Sequence, residues 1–323
     1  MGHCLKLHLK VTEFADAIQA AASHFKIREV FIEKDYWVTC VLKNLHASKY
    51  SEQVVFKGGT SISKAYRVAE RFSEDIDLAI VSTPKVSQTK RDDLINVVEK
   101  AIALHPLKEI PDLGFTSRNR KFKQSHWGYP LLTEAKHDPA RSKIMLEITS
   151  SAKTSPSTYM TVRSLIADFL SETKQNDLIR EFGLSGFRIK VLSHKRTFVE
   201  KIAAVTNACF ADEDLTRMKE KIRHLYDLTL LIRDPEIKEF VKSKSFEKML
   251  KDSQKGDMLI PDIARLPERH WRTAAIFKAP KESLVLLKET YESQLGPLVF
   301  NRAAMPTIKE IERMLKCVTK DSN

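Results

Sequence analysis

Cysteine is scarce. Cys4, Cys40, Cys209 and Cys317 stand far apart in the 323 residues and form no Cys-x-x-Cys pair, which argues against a zinc ribbon or a dithiol redox centre. Reduced, structural thiols are the expectation, as in a cytoplasmic protein. The ten histidines include no His-Glu-x-x-His arrangement, and no Gly-x-x-x-x-Gly-Lys-Ser/Thr occurs, so neither a zinc hydrolase of that type nor a P-loop ATPase is expected. His194 and His224 read as structural. No apolar signal-peptide centre follows Met1, and no uninterrupted apolar run approaches the length of a membrane span, so a soluble protein with no membrane partner is expected. There is no internal repeat.

Positive charge, by contrast, is in surplus. Fifty-four Lys and Arg stand against 42 Asp and Glu, a formal charge of +12 with a pI near 9.4. Concentrated on one face, such an excess suits a polyanionic partner; spread evenly, it only aids solubility. At 42% hydrophobic residues the chain can bury a proper core, and its length suits two domains of ordinary size.

The informative stretch is Lys57-Gly58-Gly59-Thr60-Ser61 with Ser73-Glu74-Asp75-Ile76-Asp77-Leu78 shortly after it. Every second side chain of a strand faces the same way, so Asp75 and Asp77 share a face while Ile76, Leu78 and Ile80 point into a core. Upstream, Val54-Val55-Phe56 reads as a buried strand. The glycine pair permits a tight turn and a close approach to a ligand before Ile62, Ala65, Tyr66 and Ala69 begin a helical stripe. Unpaired amides at that helix start favour an anion such as phosphate. A phosphate cradle beside paired carboxylates suits a metal-dependent reaction on a nucleotide, because Mg²⁺ takes a few carboxylates plus phosphate oxygens.

Elsewhere the pattern supplies an α+β scaffold. A packing helix is expected from Thr12, and a second follows Glu33-Lys34-Asp35, a charged run that would ordinarily be a solvated helix start. A further helix is expected within 90–107. The stretch from Phe115 to Leu132 interleaves Arg118, Arg120, Lys121 and Lys123 with His126, Trp127 and Tyr129. It reads either as a strand hairpin with a snorkelling outer face or as a surface for RNA. In Lys143 to Thr149, Ile144, Leu146 and Ile148 alternate with Glu147, an acid that would complete a carboxylate triad if this strand lies beside Asp75 and Asp77. Ser, Thr and Pro dominate residues 150–161, which reads as a connection between a domain spanning 1–155 and a mainly helical domain spanning 156–323. In the latter, Ser193 can cap a helix carrying Lys201, and another helix holds Arg223 and Asp227 one turn apart, at ion-pair spacing.

A strand, a Gly-Gly-Thr turn, a short helix and a strand bearing Asp-x-Asp resemble the nucleotidyltransferase superfamily of DNA polymerase beta. The strings Phe56 to Lys64 and Arg71 to Leu78, with Glu33 to Trp37, Phe198 to Ile202 and Arg223 to Leu228, resemble its AbiEii/AbiGii toxin branch, which includes the MenT-like toxins. The family often has Ser at the position of Thr60, and the gap before Asp75 is on the long side. The resemblance implies a polymerase-beta-like core, a mixed sheet flanked by helices, followed by a helical C-terminal domain. It assigns Asp75, Asp77, Lys201 and Asp227 to catalysis, Asp75, Asp77 and Glu147 to Mg²⁺ or Mn²⁺, and Lys57, Gly58, Gly59, Thr60, Ser61, Lys64 and Lys201 to the nucleotide. The expected activity is transfer of a nucleoside monophosphate from a nucleoside triphosphate to RNA, especially the 3′ end of tRNA, with Arg118, Arg120 and Lys123 as RNA contacts and a cognate antitoxin as partner. Transfer to protein or a small molecule, or a non-catalytic binding module, are the alternatives.

Overall fold

The computed structural model describes residues 5–73, 75–81, 87–117, 119–133, 143–212, 214–257 and 270–320. The chain divides into two compact units. Residues 1–66 and 72–192 form the first, while 67–71 and 193–323 form the second. The boundary expected at 155 therefore falls at Leu192 instead. The reason is a pair of strands: Ser157–Val162 pairs with Phe187–Leu192 along its full length, and the latter pairs onward into the first unit's sheet. The Ser/Thr-rich stretch that reads as a linker leads directly into a strand.

In chain order the first unit contains α1 (Val11–Phe25), α2 (Glu29–Ala47), β1 (Val54–Lys57), α3 (Gly58–Lys64), β2 (Asp75–Ile80) and α4 (Gln88–Ile102). There follow β3 (Lys108–Glu109), β4 (Phe115–Thr116), β5 (Phe122–Gly128), β6 (Lys143–Thr149), β7 (Ser157–Val162), α5 (Leu165–Glu172), α6 (Asn176–Glu181) and β8 (Phe187–Leu192). Among the described residues the strands form one mixed sheet in the order β3-β5-β6-β2-β1-β8-β7, with β4 pairing to β5. β2 runs antiparallel to β1 and parallel to β6, and β1 runs parallel to β8.

Alternation then sorts the side chains. Phe56, Ile76, Leu78, Ile144, Leu146, Ile148 and Val191 are buried together with apolar residues of α1, α2 and α4 in one core. Lys57, Asp75, Asp77 and Glu147 occupy the opposite, half-buried face. α2 is buried on nearly all sides from Val30 to Leu45, as a helix must be when it is covered all round. Trp37 stacks on Tyr129 at 5.6 Å, and Phe14 packs against Tyr36 at 4.5 Å.

The second unit is helical. It begins with α7 (His194–Ala211), α8 (Thr216–Glu220), α9 (Ile222–Leu231), α10 (Pro235–Val241) and α11 (Lys244–Asp257), and ends with helices Pro280–Thr290 and Ile308–Thr319. Ser193 caps α7 by accepting from the Arg196 amide, and Thr307 with Glu310 forms a capping box on the last helix. These are the start signals the sequence offers. Residues 67–71 join this unit through a bridge between Arg71 and Val299 and a hydrogen bond of 2.9 Å from the Phe300 amide to the Glu70 carbonyl. Among the described residues no helix is long and apolar enough to cross a membrane.

Candidate active site

The register assembles the carboxylates. Asp77 lies opposite Glu147 on β6 and opposite Lys57 on β1, and Asp75 lies opposite Met145. Glu147 is thus one strand spacing, about 4.8 Å, from the Asp77 strand and on its face. β5 extends the row, with Gln124 opposite Glu147 and His126 opposite Met145. Neither Gln124 nor His126 is among the site residues read from the sequence, although their two-residue spacing in Phe122–Gly128 is the signal that could have found them. The His126 imidazole has its pKa lowered by burial, with the Lys143 and Lys34 ammonium groups adding to the effect, so it is neutral near pH 7.

The glycine turn is built against Asp77. Gly58 has φ +75°, and a Cβ placed on it would lie 1.9 Å from Asp77 Oδ2 and 2.9 Å from Asp77 Cβ. Both the backbone and the space require glycine. Gly58→Ala should therefore displace the turn or the carboxylate and reduce nucleotide transfer by about 10²-fold, with residues remote from the turn undisturbed. Parent-level labelled nucleotide incorporation by the purified variant would show that the close approach carries no function.

The hydroxyls expected to hold phosphate have other work. Thr60 is buried and its hydroxyl donates to the Asp75 carbonyl, while the buried Ser61 hydroxyl donates to the Gly58 carbonyl at 2.8 Å. A hydroxyl has one proton to donate, and both are committed to tying α3 to β2 and closing the turn. Lys64 is likewise engaged: its ammonium lies 2.5 Å from Asp35 Oδ1 and 3.2 Å from the Arg163 carbonyl, and Asp35 Oδ2 accepts from the Leu165 amide at 2.7 Å. In this structure the side chains of Thr60, Ser61 and Lys64 are thus engaged within the protein. Lys57 and the Gly58 and Gly59 amides remain on the half-buried rim.

The Glu33-Lys34-Asp35 run is not a solvated helix start. Glu33 is fully buried and accepts from the Leu132 amide at 2.8 Å, the Thr133 amide at 3.1 Å and the Thr133 hydroxyl at 2.7 Å. Lys34, also buried, places its ammonium 5.2 Å from the centre of the Phe72 ring, which stacks on Phe31 at 4.4 Å. Together these residues brace α3 and the approach to β2.

As for metal, among the described residues no three His, Cys, Asp or Glu side chains are gathered into a cluster that could hold an ion. The triad of Asp75, Asp77 and Glu147 shares a face without closing into a cage. This donor set still fits Mg²⁺, which typically takes one or two carboxylates and completes its shell with phosphate oxygens and water.

Within the second unit, Asp227 is fully buried and receives Arg71 Nε and Nη2, each at 2.7 Å, and Lys201 Nζ, also at 2.7 Å. The expected pairing of Asp227 with Arg223, one turn away, is replaced by these two more distant cations. Burial alone would raise the Asp227 pKa, but the Arg71 guanidinium and then the Lys201 ammonium hold it well below the usual carboxylate range. The His224 pKa is lowered by burial and by Lys201, so its Nδ1 is able to accept from the Lys201 ammonium 3.5 Å away. Arg71 was missed as a member of this cluster.

Arg118 lies outside the described residues. Arg120 pairs with Asp93 of α4 at 2.9 Å at the surface, and Lys123 pairs with the buried Glu99 and lies 3.2 Å from Asn96 Oδ1. Lys123 cannot turn to a phosphate without leaving Glu99 buried and uncompensated, a costly state. The stretch is a strand region leaning on α4, and Lys123 is engaged there with Glu99 and Asn96.

The model of the family described as nucleotidyl transferase AbiEii toxin, type IV toxin-antitoxin system, matches residues 40–311. The search of curated proteins yields no match. Among solved structures, the nucleotidyltransferase toxin MenT4 of Mycobacterium tuberculosis H37Rv is similar in fold, with a TM-score of 0.53 at 17% identity over 94% of this chain and 89% of that one. The family match takes in the glycine turn, the Asp-x-Asp strand, Glu147, Lys201 and Asp227, and the chain belongs to the AbiEii family of nucleotidyltransferase toxins.

Proposed function

We propose that this chain transfers a nucleoside monophosphate from a nucleoside triphosphate to RNA, with the 3′ end of tRNA as acceptor and a block of translation as the result. The observation that carries the reading is the seating of Gly58 directly against Asp77, with Glu147 in register beside it. A backbone that close to a carboxylate row lets the triphosphate rest on the Gly58 and Gly59 amides while its charge faces Asp75 and Asp77. Those two aspartates, with Glu147 next to them, would hold a divalent cation of the Mg²⁺ type, which when bound neutralises phosphate charge and lowers the pKa of an attacking hydroxyl. Lys57, opposite Asp77, offsets charge at the same place.

In the transfer itself, the acceptor hydroxyl oxygen bonds to the α-phosphorus, the bond from that phosphorus to the β-phosphate oxygen breaks, and pyrophosphate leaves. The hydroxyl proton passes to a base or to solvent. Alignment and electrostatic stabilisation provide the rate enhancement. The family resemblance also assigns Lys201 and Asp227 to catalysis, and Lys201 to the nucleotide as well. Their cluster holds two cations and one carboxylate, so it carries a surplus positive charge suited to an anion. A cognate antitoxin is the expected partner.

RNA as acceptor is supported by the charge of +12. Incubating the protein with each labelled nucleoside triphosphate and total RNA, with Mg²⁺ or Mn²⁺, tests it. A labelled tRNA band that disappears on chelation is the expected result; label on protein alone would overturn the acceptor assignment.

A further inference from the structure

The edge of the sheet beyond β1 carries a second group of side chains on the face of the carboxylates. Phe56 pairs with Val191, so Lys190 lies on the face opposite Val191, the face that Lys57 shares with Asp77. Tyr159 of β7 is opposite Lys190, and Thr161 is opposite Arg188. Ser157, Tyr159, Thr161, Arg188 and Lys190 therefore share one side of the β7–β8 pair. Neither strand contains an acid: they read Ser-Thr-Tyr-Met-Thr-Val and Phe-Arg-Ile-Lys-Val-Leu. β7 is the last strand of the sheet on this side.

The aromatic ring is the unusual member. Lysine or arginine alone would suffice to keep a sheet edge from pairing with another chain. Here Tyr159 is 39% exposed, with the Arg188 guanidinium 5.5 Å and the Lys190 ammonium 5.4 Å from its ring centre. Its hydroxyl donates to Glu52, which also receives Lys190 at 3.2 Å. Anchoring the phenol end fixes the ring in place, which reduces the entropy lost when a ligand stacks on it. Lys190 also donates to the Glu52 carbonyl at 3.0 Å, so it keeps that anchor when it exchanges the exposed Glu52 carboxylate for a phosphate.

We propose that this face binds single-stranded RNA, with one base stacking on Tyr159 and with Arg188 and Lys190 neutralising the adjoining phosphates. The inference rests on the reading of RNA as acceptor and locates where that RNA is gripped. An aromatic platform among cations, flanked by hydroxyls, is the chemistry by which single strands are held without a sequence code. The platform lies three strands from β2, about 14 Å away on the same face, with Val55 and Leu192 buried between. It is a separate station from the carboxylates, suited to gripping the acceptor upstream of its reacting end.

The test measures binding of a fluorescently labelled tRNA transcript to the full chain without nucleotide, across a salt series. Tyr159→Ala should weaken binding roughly tenfold or more, and Tyr159→Phe should lose clearly less, because the stacking ring remains and only its anchor to Glu52 is gone. Arg188→Glu should weaken binding and flatten the salt slope by about one unit. Triphosphate binding, measured separately, should be unchanged in all three. Parent-like affinity and slope in Tyr159→Ala and Arg188→Glu would overturn this placement while leaving the activity reading intact. A parent protein that labels protein and binds no RNA would overturn both. Polyglutamate competing as well as RNA for the parent, but not for Tyr159→Ala, would reassign the face to an acidic protein partner.

Discussion

Asp77→Asn should lower nucleotide transfer by about 10³-fold or more while shifting the thermal midpoint by less than about 2 °C. The amide has the shape of the carboxylate and fits the space beside Gly58, where a single Cβ would not. What disappears is the negative charge opposite Glu147 and Lys57. A structural role would survive this change, because Asn fills the volume and half-exposed positions tolerate it. Asp75→Asn should behave alike, since its strand position puts it on the same face. Single-turnover incorporation of labelled nucleotide, read beside a melting curve, separates the two roles. Parent-like incorporation by purified Asp77→Asn would remove this face from the chemistry.

The second large effect is on stability. Asp227→Ala should destabilise the helical unit by about 3–5 kcal/mol, lowering its midpoint by on the order of 10 °C. The substitution removes the buried carboxylate shared by the Arg71 guanidinium and the Lys201 ammonium. Lys201→Met should cost far less, because Arg71 and Asp227 still balance each other, and that contrast distinguishes charge imbalance from lost packing. Equal losses in the two variants, measured by urea unfolding at neutral pH, would contradict this account.

Acid should erode the same contribution. The Asp227 pKa is held down despite burial, by Arg71 and then Lys201. Its stabilisation is therefore present above the unfolded value near 3.9 and is lost as pH falls through the depressed folded value. The His224 pKa is also lowered, by burial first, so its share is present above about 6.5 and fades as pH falls below that. Asp227→Ala should flatten the acid limb of the stability curve below about pH 4, and His224→Phe the part that sets in as pH falls below about 6.5.

Much of the site is visible in the sequence because it is local. Asp75 and Asp77 are two residues apart, Gly58 follows a short apolar strand, and Glu147 interrupts a strict alternation, so period and punctuation alone place them on faces and turns. The neighbouring position of Glu147 is not local, since strand order depends on pairings between distant segments. The same limit hides the partners of Asp227: spacing suggests Arg223, yet Arg71, 156 residues away, takes the carboxylate. Glu33, Lys34 and Asp35 mislead for a different reason. Charge normally marks solvent, and only the backbone amides of residues 132 and 133 and the Lys64 ammonium make burial tolerable there. Ser157–Val162 reads as a connection because Ser and Thr are abundant in loops, although its partner strand makes it an edge of the sheet.

The short excursion of residues 67–71 into the helical unit makes the chain pass between its two units three times, at 66–67, 71–72 and 192–193. Translation proceeds from the N-terminus, so Arg71 leaves the ribosome on the order of 10 s before Asp227 exists to receive it. During that interval the sheet can be completed while the excursion waits in solvent. A fragment stopping at Leu192 would hold that state permanently, with Arg71 exposed and Asp227 absent, and a fragment starting at Ser193 would lack one cation of its own interior. The two units are distinct as packed bodies, yet no single cut in the chain separates them.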